Sequence, residues 1–299
     1  MASQALPARG ARLGRPVAPG LFPGSARPVD ERSGATVRAV VLALPGGDAL
    51  STRRRSPMAA ALMWPLARHL VREGFSDGLA AHVVHYRFRG WNGGHAHPAE
   101  DAEWAVGEAV RRYGDVPVCL VGMDMGARAA LHAAGHAAVT SVVALAPWLP
   151  GADAEGSAGR GAVADPAADG AGAGRGAAAR GREPEREGEG EAEPVKQLIG
   201  RRVLIVHGTE DEVTAPEASY RLAERVKKVN REVCRFEVHS DGHALHQHRA
   251  EVFALTADFV LGSLLDRPYA RPVADALAAP PPLGLRMPLA SGFGRSLHS

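Results

Sequence analysis

An α/β protein built on one open, mostly parallel sheet is what this sequence predicts, and three features predict it. Short β-branched runs recur with apolar residues at consecutive positions, as in strands covered on both faces. Segments with helical spacing fill the intervals between them. Strand and helix then alternate, the pattern of parallel strands joined by crossover helices.

The first run is VRAVVLAL, residues 37–44, closed by Pro45-Gly46-Gly47. Ser56-Pro57 reads as a cap with proline in the first turn, opening a helix to Glu73 in which Pro65 is a kink or a second start. The next strand is AAHVVHYRF (80–88). Pro98 opens a helix whose Ala102, Ala105, Val106, Ala109 and Val110 form one stripe, ended at Gly114. Strand VPVCLVG (116–122) leads into a helix from Met125 to His136, followed by strand VTSVVALA (139–146). Strand RRVLIVHG (201–208), a helix from Pro216 to Val229, strand EVCRFEVHS (232–240) and a helix from His248 to Leu265 complete the series.

Three stretches fall outside it, dominated by Ala, Gly, Pro, Arg and Glu. The expectation is a disordered N-terminal tail over 1–34, a low-complexity disordered insertion over 151–194 and a Pro/Ala-rich C-terminal tail over 267–299. Ordering a chain costs about 1 to 2 kcal/mol per residue, which so few large apolar side chains cannot offset. One domain over 35–266 remains. The insertion reads either as a lid over a pocket or as a neutral expansion.

A net charge of +2, from 35 Lys+Arg against 33 Asp+Glu, gives no excess potential to hold a polyanion, so nucleic acid is not expected as a partner. Cys119 and Cys234 lie in apolar strand runs and form no CxxC pair, which predicts buried, reduced thiols and a reducing compartment. No apolar run approaches the roughly 18 residues that span a bilayer, and the N-terminus carries no apolar signal core. A protein without membrane association, in the cytoplasm, is the expectation.

The chemistry concentrates at three strand ends. Gly122-Met123-Asp124-Met125-Gly126 joins a buried strand to a small-residue helix, the nucleophile-elbow pattern G-x-S-x-G with Asp in place of Ser. Strand VLIVHG leads into Thr209-Glu210-Asp211, and strand VCRFEVHS into Asp241-Gly242-His243. With all three in the order nucleophile, acid, histidine, the stretch from Val37 to Leu265 resembles the α/β-hydrolase superfamily, and within it small bacterial members similar to dienelactone hydrolases and serine esterases. The resemblance implies the α/β-hydrolase fold, here without an evident folded cap domain, and a hydrolase acting on a small organic molecule. It also implies that Asp124 stands at the elbow, Asp211 orients the imidazole and His243 is the base. LPGG at 44–47 matches the loop that supplies an oxyanion donor, which makes the backbone N–H groups of Gly47 and Met125 the expected oxyanion hole. No cofactor or metal is implied.

Aspartate at 124 changes the possible reaction. Its attack on a carboxylic ester gives a mixed anhydride that reverts, whereas attack on a saturated carbon leaves an ester on Asp124 that water activated by His243 can hydrolyse. Haloalkane dehalogenases and epoxide hydrolases of the superfamily work in that way. Dehalogenases, however, place Trp after the nucleophile where this chain has Met125, and residues 151–194 contain no Tyr or Trp to protonate an opening epoxide. Neither specific activity follows.

Plainer readings stand beside these. Asp124 could only cap its helix, Asp211 could brace the turn before Pro216, and His243 could be a loop histidine. Trp91, after the second strand, could bind substrate or simply pack. His239, His243, His246 and His248, like His95 and His97, have no carboxylate or cysteine at metal-ligand spacing. Besides a hydrolase, the sequence allows a catalytically silent relative that binds a ligand or partner in the old pocket, or a scaffold whose Arg-rich tails bind partners.

Overall fold

The strand over residues 39–44 shows why its sequence is continuously apolar. In the computed structural model, which describes residues 9–18, 36–54, 57–149 and 193–294, this strand, β2 (Ala39–Leu44), is buried along its whole length. Ala39, Val41 and Ala43 enter one core, and Val40, Leu42 and Leu44 the other. A strand with helices on both faces has no side left to be polar.

Eight strands form one sheet: β1 (Arg12–Pro16), β2, β3 (Leu79–His85), β4 (Val118–Met123), β5 (Val139–Leu145), β6 (Arg202–Gly208), β7 (Val233–Val238) and β8 (Met287–Pro288). Their order is β1-β3-β2-β4-β5-β6-β7-β8, and every neighbouring pair is parallel except β1 with β3. Helices α1 (Pro57–Gly74), α5 (Arg249–Leu265) and α6 (Arg271–Ala278) cover one face; α2 (His97–Tyr113), α3 (Met125–Ala133) and α4 (Pro216–Val229) cover the other. Pro65 stands inside a single α1 and does not start a second helix. The expected mostly parallel open sheet flanked by helices is therefore present, with no separate cap among the described residues.

The topology positions the site. The chain runs from β2 outward to β3 on one side, then returns to β4 on the other, so the loops after β2 and β4 face each other across the switch point. They meet at van der Waals limits. A Cβ on Gly126 would lie 2.1 Å from the Leu44 carbonyl oxygen, and one on Gly122 would lie 2.1 Å from the Gly126 oxygen. Only glycine allows the strand, the turn and the first turn of α3 to close on one another.

Both sheet edges correct the expected tails. Within 1–34, residues 12–16 pair antiparallel with β3, Val17 is buried, and His82 Nδ1 lies 2.8 Å from the Gly14 carbonyl oxygen. Within 267–299, α6 packs Val273 and Ala276 into the core, and β8 pairs with Phe236 and Glu237 of β7. Arg235, 1% exposed, ties this segment down by donating from Nη1 to the Leu285 carbonyl at 3.0 Å. Composition misjudged these stretches because an edge strand is held by backbone hydrogen bonds, which any residue supplies, and few apolar anchors suffice. The insertion over 151–194 lies outside the described residues except for Glu193 and Pro194.

Smaller differences have local causes. The strand expected over 80–88 ends at His85, where Arg87 turns to donate from its backbone and Nε to the buried Asp101. Cys119 and Cys234 are fully buried in β4 and β7, and burial pushes both thiols up to about 12. No helix among the described residues is long and apolar enough to cross a membrane.

Candidate active site

Asp124 sits between β4 and α3 with φ 56° and ψ −123°, a left-handed conformation that costs a non-glycine residue about 1 to 3 kcal/mol. Its backbone is over-determined. The N–H donates to the Leu145 carbonyl at 3.0 Å, and the carbonyl accepts from Ala127, Arg128 and Trp148. The side chain makes no capping bond to α3, so the bland reading of Asp124 as a helix cap does not describe it. The carboxylate is turned outward instead.

Its two oxygens have different neighbours. Gly47 N–H donates to Oδ2 at 3.3 Å, and Oδ1 lies 3.6 Å from His243 Nε2. Gly46 lies so close beneath that a Cβ there would be 2.8 Å from Oδ2. Met125 is the first residue of α3, where a backbone N–H has no acceptor within its own helix. Its side chain is buried, with the sulfur and methyl packed under Gly47.

On the other side of His243, Nδ1 lies 2.9 Å from Asp211 Oδ2. Asp211 is held completely: Oδ1 accepts from the backbone N–H of Val213 at 2.8 Å and Thr214 at 2.9 Å, and Oδ2 accepts from Thr214 Oγ1 at 2.8 Å. Oδ2 also lies 3.0 Å from Nε2 of His207, a fully buried histidine on β6. A carboxylate only accepts, so both imidazole nitrogens that face it carry hydrogen. The Asp211 and His243 loops are pressed together at Gly208, where a Cβ would meet the Asp241 carbonyl at 2.3 Å. Buried Asp241 shapes the second loop by accepting from Gly242 N–H and His248 N–H, each at 3.0 Å.

This geometry sets the charges. Burial opposes ionisation of Asp211, but hydrogen bonds from His207, His243 and Thr214 overcome it and hold the carboxyl well below the usual range. Burial likewise opposes the charged form of His243, yet the hydrogen bonds and charges of Asp124 and Asp211 raise it to about 9. Both acidic neighbours thus favour the protonated form of the imidazole.

The structure thus brings together Gly47, Asp124, Met125, Asp211 and His243. It does not bring Trp91 to them as a substrate-binding surface. Trp91 is 4% exposed, with the Arg128 guanidinium 4.0 Å over its ring and His132 and Trp148 against its edges. Its exposure was unreadable in sequence because it depends on α3 and Trp148. His207, which the sequence reading passed over, carried one signal: a histidine inside an apolar strand run, where a buried polar group needs a partner. Among the described residues no cluster of three or more His, Cys, Asp or Glu side chains could hold a metal ion.

No protein-family model matches the sequence, and no curated protein matches it. Solved structures do. An esterase of Pyrococcus furiosus superposes with a TM-score of 0.54 at 17% identity, over 76% of this chain and 82% of that one. An α/β hydrolase from a Medee basin deep-sea metagenome gives 0.53 at 17% identity, over 87% of this chain and 100% of that one. A putative α/β hydrolase of Agrobacterium tumefaciens gives 0.51 at 13% identity, over 87% and 94%. Likeness over most of the chain at such low identity is likeness of fold, and this protein has the α/β-hydrolase fold.

Proposed function

We propose that the protein is a hydrolase that displaces a leaving group from a saturated carbon of a small organic substrate, with Asp124 as nucleophile, His243 as base and Asp211 orienting the imidazole. The observation that carries this reading is the division of labour within the Asp124 carboxylate. Oδ2 already accepts from Gly47, the expected oxyanion donor, while Oδ1 faces His243 without a backbone partner. In a serine enzyme that amide waits for the substrate's carbonyl oxygen; here it holds an oxygen of the nucleophile itself.

The steps balance. Oδ1 attacks the carbon, and the carbon–leaving-group bond breaks with its electron pair going to the leaving group, which His243 can protonate. Esterification removes the charge of Asp124, one of the two carboxylates that hold the proton on His243, so the imidazole becomes a base when one is needed. It takes a proton from water, the hydroxide adds to Cγ of Asp124, and the oxyanion forms on Oδ2 beside Gly47 and the Met125 amide. Collapse expels the product alkoxide, which takes the proton from His243, and the carboxylic acid left at Asp124 returns its own proton to the imidazole, restoring the resting pair. The fold similarity to esterases and hydrolases supports a hydrolase and selects neither displacement at a saturated carbon nor the substrate.

The test is to trap the intermediate. With His243→Gln, 1-haloalkanes are expected to leave the mass of an alkyl group on Asp124 and 1,2-epoxyalkanes that of a hydroxyalkyl group, seen by intact-protein and peptide mass spectrometry, while Asp124→Asn takes up none. A His243→Gln protein that is folded and gains no mass from any of these compounds would favour the second reading, a silent relative. One observation favours that alternative: His243 already stands between the two carboxyl groups, 3.6 Å from Asp124 Oδ1 and 2.9 Å from Asp211 Oδ2, a self-satisfied arrangement at rest.

A further inference from the structure

At the carboxyl ends of β4 and β5, on the face of the sheet covered by α1 and α5, lies a cavity of about 100 Å³ whose lining includes the chain neighbours of Asp124 and His243. Its wall nearest the reacting groups is Met123, the residue before Asp124, and Ala244, the residue after His243. Leu145, paired with Met123 at the carboxyl ends of β5 and β4, forms the floor; Met63 and Leu66 of α1 and Phe253 of α5 close the sides. The surface is mostly apolar, and the exposed His246 and Arg249 stand at its outer end.

An apolar hollow of this size does not hold water well. A cavity of ~150 Å³ lined by aliphatic and aromatic side chains stays dry and accepts benzene. Close packing is the rule in protein interiors, so a void against Met123 and Ala244 is a space that packing did not fill with the chain's own side chains.

We infer that this cavity is the subsite for the substrate's apolar chain, and that the substrate is a small alkyl compound carrying about three to five carbons beyond the reacting centre. The inference rests on the reading of Asp124 as the group that is alkylated. Its chemistry follows from the wall: each added methylene leaves water for an apolar surface until the volume is full, and the next one must displace a side chain. The flexible thioethers of Met63 and Met123 allow branched and straight chains of similar volume.

Two measurements test it, one of which needs no catalysis. Met63 and Met123 carry ε-methyl groups whose carbon–proton resonances can be followed in the wild-type protein as butan-1-ol is added. Saturable shifts of both, with Met287 unmoved, are the expected result; no shift overturns the inference. In the His243→Gln protein, the rate of mass gain from 1-haloalkanes should rise about threefold per methylene up to about five carbons and then fall. Phe253→Ala, checked for folding by circular dichroism, should move that optimum to chains about two carbons longer. A rate independent of chain length, or an optimum unmoved by Phe253→Ala, overturns the inference while leaving the alkylation reading in force. Methyl shifts with butan-1-ol but no mass gain from any haloalkane reverse this: the apolar site stands and the reaction proposed for Asp124 falls.

Discussion

Two aspartates flank His243, and their surroundings differ in almost every respect. Asp211 follows β6 in a loop that gives its carboxylate two backbone donors, a threonine hydroxyl and two imidazoles, and its side chain is shut off from solvent. Asp124 follows β4 on a strained elbow, its side chain is 22% exposed, and among the described residues its one backbone donor is Gly47 at 3.3 Å. The same functional group has its lone pairs taken up by donors in one place and left largely free in the other, because hydrogen bonds that stabilise the anion also use up its lone pairs. Asp124 is held by its backbone and Asp211 by its side chain, the division that the proposed reaction requires.

Removing one charge from each should break the comparison most visibly. Asp211→Asn turns an amide toward donors that need an acceptor, and breaking a buried, paired charge costs about 3 to 5 kcal/mol; Asp124→Asn should cost less than about 1 kcal/mol. Urea unfolding of the two variants measures this, and equal losses would contradict the contrast drawn between the two loops.

The pH dependence comes next. His243 is raised in the folded state from 6.5 to about 9, so its stabilisation is fully present below about pH 6.5 and is lost as pH rises through 9. The loss could reach about 3 kcal/mol if the imidazole keeps its partners throughout. Asp211 acts with the opposite sign: its folded-state value is depressed, so its contribution is present above the ordinary carboxylate range and disappears as acid is added. Asp124→Ser should lower the His243 value seen in an NMR titration, flatten the alkaline decline and confer hydrolysis of activated short-chain aryl esters that depends on His243. A titration curve unchanged in that variant would mean Asp124 does not share the proton.

His207 sharpens the Asp211 side. Its Nε2 donates to Asp211, while Nδ1 meets Ser219 Oγ at 2.9 Å, so His207→Ala removes a bond to a charged acceptor worth about 2 kcal/mol. The Asp211 charge, less neutralised, should then raise His243 further; a downward shift would show that His207 acts only by packing. The smallest effect is a difference between two variants that both lack the carboxylate. Asp124→Gly relieves the strain of the positive φ and Asp124→Ala keeps it, so the glycine protein should be about 1 kcal/mol the more stable while both are inactive, and equal stabilities would place the strain elsewhere.

Much of this was legible in the chain. The fully buried strands 39–44 and 202–208 announce themselves because burial on both faces requires continuous apolar sequence. The elbow is legible because Gly122 and Gly126 are needed wherever backbone meets backbone, and that need leaves a pattern within five residues. The edge strand at 12–16, the segment that ends in β8 and the role of His207 left no comparable pattern, since each depends on a partner far along the sequence.

The sequence by itself determined the alternation of strands and helices, the order Asp124, Asp211, His243 and the aspartate that redirects the chemistry, because each is written in local spacing and residue type. Only the tertiary structure decided which segments near the two ends of the chain join the sheet, that Trp91 is packed under Arg128, where an apolar cavity opens against Met123 and Ala244, and which groups hold the proton on His243. Those properties come from distances between residues remote in sequence, and burial and electrostatic coupling are functions of those distances alone.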